Sequence, residues 1–154
     1  MTLRVSAFRR PVAQETRDRQ ATGAWLGYGS RMPTPATINQ GDIFWITLDE
    51  SQGSLPGRPH PHVVIQDDVF NKSRVHTVIV CALTSNLNLA NEPGNVLLES
   101  GEGNLPKRSV LVVSQISSVE KTKLGEHIGT LSAERVAQVF DGLRFQQASF
   151  FGER

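Results

Sequence analysis

"DIFWITLDESQGSLPGRPHPHVVIQ", Asp42 to Gln66, is the stretch whose reading decides the architecture. Its opening, Asp42 to Leu48, is a run of β-branched and aromatic residues and reads as a strand. "DESQGSLPGRP" is turn chemistry, a long loop rich in Gly, Pro and Ser. "HVVIQ" then begins a second strand, whose alternation puts His62, Val64 and Gln66 on one face and Val63 with Ile65 on the other. Short apolar runs separated by breakers are how a small β-barrel or sandwich is written.

The same grammar continues downstream. "DDVFNKSR" is a polar connection, and "HTVIVCALT" (His76 to Thr84) is a continuous apolar run expected to be a central strand covered on both faces. The loop "SNLNLANEPG" leads to a short strand "NVLLE", the turn "SGEGNLPKR" and a long β-rich run from Ser109 to Val119. Helical spacing is confined to "LSAERVAQVFDGLRF", where Leu131, Val136, Val139, Phe140 and Leu143 share a stripe, Ser132 suits the N-cap and Glu134 the first turn. That helix is expected to plug the barrel.

Upstream of this region, residues 1–39 show no sustained period and carry the breaker string "RMPTPAT", which reads as a flexible Arg-rich extension to a domain spanning 40–154. Trp25 and Tyr28 are its candidate docking groups. The chain of 154 residues has room for one core. No apolar run approaches the roughly 20 residues that span a bilayer, so a cytoplasmic protein without a membrane segment is expected. Cys81, the single cysteine, lies inside an apolar run and is expected to pack as a small hydrophobe. The net charge of +1 is uneven. Six arginines against Glu15 and Asp18 give the extension +4, which leaves −3 for the rest. Nucleic-acid binding by the core would therefore rest on a local basic patch and not on bulk charge.

The order "GDIFWITLDESQGSLPG", "HPHVVIQDDVFN", "TVIVCALTSN", "SVLVVSQISSVEK", "LGEHIGTLS" resembles the MazF/PemK family of toxin endoribonucleases over about Gln40 to Phe145. The resemblance implies an SH3-like, strongly bent antiparallel sheet with a C-terminal helix, mainly β with α, assembled as a homodimer. It further implies metal-independent cleavage of single-stranded RNA (mRNA). The ribose 2′-hydroxyl attacks the neighbouring phosphate, leaving a 2′,3′-cyclic phosphate and a 5′-hydroxyl. A small cognate antitoxin is the implied protein partner, and no cofactor is implied.

Carried over residue by residue, the family's catalytic Arg of Arg-Pro corresponds to His60, followed by Pro61, with Arg58 two residues earlier. The Thr that closes the third strand is kept as Thr84. Leu55 stands where the family often has Glu, and Ser114 and Ser117 stand where an acid and an Arg flank the Gln kept as Gln115. Imidazole titrates near neutrality, so His60 suits acid or base work on a phosphodiester, with Arg58 as phosphate clamp and Thr84 as donor. RNA contacts are expected from His62, Gln66, Lys72, Arg74, Ser85, Asn86, Lys107, Arg108 and Gln115, each of which has an ordinary surface or strand-end role as its alternative. Two further alternatives stand beside the nuclease. One is a catalytically silent member of the fold that binds RNA or a protein, including a gyrase inhibitor of the CcdB type. The other is a metal enzyme built on His60 and His62, which would need further ligands to converge.

Overall fold

The computed structural model describes residues 37–48 and 58–148. The expectations for Leu55 and for the extension up to residue 36, Trp25 and Tyr28 among them, lie outside the described residues. The packed chain already includes Ile38, which is buried.

Six strands form one antiparallel sheet. They are β1 (Asp42–Thr47), β2 (Pro59–Val64), β3 (Thr77–Thr84), β4 (Val96–Leu98), β5 (Ser109–Glu120) and β6 (His127–Thr130), arranged in the order β4-β5-β3-β2-β1-β6. A four-residue helix α1 (Asp68–Asn71) follows β2, and α2 (Ala133–Gln146) closes the described chain. The expected mainly β sheet with a C-terminal helix is what the chain forms. Three elements depart from the sequence reading. β2 starts at Pro59 and not at His62, the polar connection contains α1, and "HIGT" is an edge strand beside β1.

The long strand β5 bends the sheet. It pairs Leu111 with Leu83 and Ile116 with Cys81, so Val112 to Gln115 stand opposite the single residue Ala82. Extra residues on one strand force it to curve away from its partner. The bend is braced by the Cys81 thiol, which donates to the Val112 carbonyl at 3.0 Å, and by the Val113 N–H, which donates to Asn95 Oδ1 at 3.0 Å. Cys81 is buried as expected, and burial pushes its thiol pKa up to about 12.

Alternation gives each face its own core. Ile43, Val63, Cys81, Leu83, Leu98, Leu111 and Val113 meet Leu131, Val139 and Leu143 on the α2 side. Phe44, Ile46, Val64, Val78 and Val80 meet Ile38 and Leu124 on the other. β3 is covered on both faces along most of its length, but Ile79 is 39% exposed. In α2, Ser132 caps the N-terminus by accepting the Arg135 N–H at 3.2 Å. Phe140, which spacing assigns to the buried stripe, is 39% exposed, and Gly142 takes the close contact instead. A Cβ at Gly142 would collide with the carbonyl of Gly94, so the glycine lets the helix sit directly on that loop.

Candidate active site

The geometry of the site begins with two prolines inside a strand that has neighbours on both sides. Pairs Ile43↔Val63 through Thr47↔Pro59 join β2 to β1, whereas its pairs with β3 run only from Val64↔Val80 to His62↔Ala82. The reason is chemical. The Ile65 N–H donates to the Ile79 carbonyl at 3.0 Å, so the odd-numbered residues of β2 direct their backbone groups towards β3. The next such residues are Val63 and then Pro61, which has no N–H to give. The ladder stops where the proline begins, and the first half of β2 is held by β1 alone.

Continuing the β2–β3 register by two residues sets His60 opposite Thr84, at the open end of this seam. Both fall on the Phe44 face by alternation, since Ile46 pairs with His60 and Phe44 with His62. His60 is exposed and Thr84 half-buried. Thr84 Oγ1 accepts the Asn86 N–H at 3.2 Å, which engages an oxygen lone pair and not the hydroxyl proton. Ser85 and Asn86 follow on the exposed loop, where Asn86 Oδ1 accepts the Asn88 N–H at 3.2 Å and caps a short 3₁₀ turn, Leu87–Asn91. Arg58 immediately precedes β2 and is exposed.

β5 brings its own basic residues to this end. Thr84 pairs with Val110 and Leu98 with Ser109, so Lys107 and Arg108 sit beside the mouth of the seam, both exposed. Arg108 Nε lies 3.0 Å from Glu99 Oε1. Glu99 was given no role by its sequence context; it becomes an anchor because β4 and β5 pair. Gln115 is exposed on the β5 bend.

Three expected RNA contacts are placed elsewhere. Gln66, Lys72 and Arg74 follow the far end of β2, and β3 separates them from Thr84. At about 3.3 Å per residue, the path from Thr77 to Thr84 is roughly 23 Å. Gln66 is buried, its amide donating to Asn71 Oδ1 at 3.0 Å and to the Thr77 carbonyl at 3.2 Å. Lys72 Nζ donates to Asn39 Oδ1 at 3.0 Å, and Arg74 is exposed in the same turn. Around them, the Asn71 amide donates to the Gln66 carbonyl and to Asp68 Oδ1. Asp68 Oδ1 also takes the Gln40 N–H at 2.7 Å, which holds that carboxyl below its usual pKa. Gln66 therefore corrects the sequence reading: it braces a turn and is 9% exposed.

His62 is the second correction. It is 1% exposed, in the Phe44 face, and its Nδ1 lies 2.9 Å from the His60 carbonyl. A carbonyl oxygen only accepts, so Nδ1 carries the proton and Nε2 is the bare nitrogen, buried without a partner among the described residues. Burial, opposed in part by that hydrogen bond, lowers the pKa to about 4. His62 and His60 are thus not a matched pair, since one imidazole meets solvent and the other is sealed and neutral. Among the described residues, no three of His, Cys, Asp and Glu are gathered as a metal ion would need. His127 forms a separate cluster at the sheet edge. Its Nε2 lies 3.3 Å from Asp42 Oδ1, which also accepts the Thr130 hydroxyl at 2.6 Å.

Residues 39–146 match the family described as PemK-like, MazF-like toxin of type II toxin-antitoxin system. Endoribonuclease MazF2 of Mycobacterium bovis is 40% identical over 107 residues, 70% of this chain and 94% of that protein. The crystal structure of MazF from Deinococcus radiodurans superposes with a TM-score of 0.60 at 18% identity, over 74% of this chain and 99% of that one. An endoribonuclease in complex with its cognate antitoxin, from a mycobacterial species, gives a TM-score of 0.55 at 14% identity, over 76% and 96% of the two chains. The solved structures establish the fold, and the family match together with the 40% relative establishes kinship: the chain belongs to the PemK-like, MazF-like toxins of type II toxin-antitoxin systems.

Proposed function

We propose that this toxin is an endoribonuclease that cuts single-stranded RNA, mRNA included, at the open end of the β2–β3 seam. The observation that carries the reading is that the β2–β3 ladder stops at His62↔Ala82, which leaves His60 and Thr84 on facing strands at its open end, in a chain 40% identical to a protein named an endoribonuclease. His60 takes the proton of the ribose 2′-hydroxyl as that oxygen bonds to phosphorus. The bond to the 5′-oxygen breaks, and that oxygen takes a proton from solvent water and leaves as the 5′-hydroxyl; the proton on His60 returns to solvent. Thr84 donates its hydroxyl to a phosphate oxygen, and Arg58, with Lys107 and Arg108 nearby, offsets the charge that gathers on the phosphorane. Ser85, Asn86 and Gln115 flank the path of the strand. No step requires a metal ion.

The protein acts in the cytoplasm as a homodimer and is neutralised by a small cognate antitoxin. The support is the family match and the fold shared with a toxin solved with its antitoxin. Among the described residues no helix is long and apolar enough to cross a membrane.

The test is incubation of antitoxin-free protein with a long RNA in EDTA, wild type beside His60→Ala, followed by mapping of the ends. Cyclic phosphate and 5′-hydroxyl ends that vanish in the variant support the reading, and RNA left intact by the folded wild type sinks it. A second reading, a silent binder of RNA or of a protein such as gyrase, is favoured by the burial of His62. That burial leaves one imidazole at a site where a cyclising cleavage needs both a base and an acid. Intact RNA together with inhibited DNA supercoiling is the outcome that selects it.

A further inference from the structure

We propose that His62 is a positioning residue. Its Nδ1–H holds the carbonyl of His60 and thereby fixes the direction from which the His60 imidazole meets the cleft. The inference rests on the reading of His60 as the proton-transfer group.

The argument starts from an expense that the core does not need. His62 stands across from Phe44 on β1 and Ala82 on β3, in the face filled by Ile46, Val64 and Val80. An aliphatic side chain would fill this place without a polar atom. The histidine instead leaves Nε2 buried with no partner among the described residues, a cost that an aliphatic side chain would not carry. What the ring gives in return is one hydrogen bond, to a backbone atom of the residue that carries the chemistry.

That bond acts where the strand is held on one side only. A residue before proline is confined to extended conformations, and Pro61 has its own φ fixed by its ring. The remaining freedom is rotation of the peptide plane between His60 and Pro61, the ψ angle of His60. In a complete sheet both neighbours would hold this plane, but here the His60 carbonyl faces β1 and the Pro61 nitrogen, which has no hydrogen, faces β3, so the β1 ladder holds it from one side alone. The His62 Nδ1–H adds a second hold, reaching back two residues along its own strand to grip the carbonyl of that plane.

The ring is kept out of the chemistry by the same surroundings. Phe44 closes it on the β1 side, with His127 stacked edge-on against that phenyl ring at 5.2 Å and Asp42 beyond. β3 offers Ala82 and carries no titratable side chain on this row, and on β2 the facing titratable group is His60 itself. Buried and neutral, His62 neither touches solvent nor exchanges a proton near neutral pH.

The experiment compares His62→Leu, which fills the space without a donor, with His62→Asn, whose amide N–H sits where Nδ1 does. On a short single-stranded RNA, the Leu variant is expected to lose about 10- to 100-fold in kcat, as small misplacements of a catalytic group do. KM should stay within about twofold, since binding is untouched, and Asn should recover most of kcat. By NMR, the His60 Cε1–H resonance should be sharp in wild type and Asn and shifted or broadened in Leu, while all three unfold cooperatively. Equal kcat in wild type and Leu, equal loss in Leu and Asn, or a loss confined to KM overturns the proposal. If the wild type leaves RNA intact, the nuclease reading fails and the NMR arm alone decides: the same His60 signal in wild type and Leu then overturns the positioning role.

Discussion

The two ends of the β2–β3 seam are held by different kinds of bond. At the end near Asn71 the side chains reach far along the sequence. Gln40 Nε2 donates to the Ile65 carbonyl 25 residues on, Lys72 reaches Asn39 across 33, and Lys121 Nζ donates to the Asn71 carbonyl across 50. At the His60 end the described side-chain bonds of His62, Thr84 and Asn86 each span two residues. Long-range bonds close large loops and so define the fold, whereas two-residue bonds set local direction and leave the strands free to part. The chain concentrates its bracing at one end of the seam and its reactive groups at the other.

The largest test of this contrast is His60→Ala. Loss of a group that moves a proton in the transition state should lower the cleavage rate by about 10²- to 10⁴-fold. Because His60 is exposed, the thermal midpoint should not move. A variant that loses activity and stability together would show that the open end is structural after all.

Acid offers the second test, because His62 is the one imidazole sealed within the seam. Below its ordinary pKa of 6.5 the unfolded chain binds a proton there, while the folded ring resists until about pH 4. The unfolded state is therefore favoured progressively as pH falls from 6.5 to 4, by about 3 kcal/mol at the low end, and there is no such penalty above 6.5. Urea unfolding of wild type and His62→Leu across this window should converge at neutral pH apart from a constant offset, and diverge below it. Parallel curves would mean that the ring is not buried in solution.

The braced end gives the third. Asn71→Ala removes an amide that donates to the Gln66 carbonyl and Asp68 and accepts from Gln66, leaving buried groups unpaired. A loss of about 2 kcal/mol in chemical denaturation is expected, with kcat per folded molecule unchanged. A drop in kcat would mean that the two ends communicate along β2.

This contrast also explains what the sequence could disclose. β1, β3, β5 and α2 were legible because their apolar periods are long. In the sequence β2 reads as starting at His62 because Pro59 and Pro61 look like loop residues, and only the pairing with β1 shows that two prolines can sit in a strand whose other edge is opening. The four residues of β6 are too few to carry a period, and the strand exists because Phe44 and Ile43 provide a ladder. Alternation placed His62 on the correct face, but whether that face is covered depends on packing from residues such as Ile38 and Leu124, distant in sequence. The short-range site motif was readable at Thr84 and His60, whereas Gln66 was misjudged because its partners at Asn71 and Thr77 come from the following turn and the next strand.

The smallest predicted effect separates two lysines that look alike in sequence. Lys72 and Lys107 are both exposed and both precede or follow a strand. Lys72 belongs to the braced end, where its ammonium meets Asn39, and Lys107 stands beside the mouth of the seam, next to the Arg108–Glu99 pair. If the RNA strand runs through the open end, Lys107→Ala should weaken binding of a single-stranded oligonucleotide and lower the slope of log affinity against log salt by about 0.7, the share of one phosphate contact. Lys72→Ala should leave that slope unchanged and alter stability by less than about 0.5 kcal/mol. The slope is a better measure than affinity alone, because it counts phosphates neutralised and is blind to a general loosening of the fold. Equal slopes for the two variants would place the RNA along the whole face, and the division of labour between the two ends would then hold for the fold but not for the ligand.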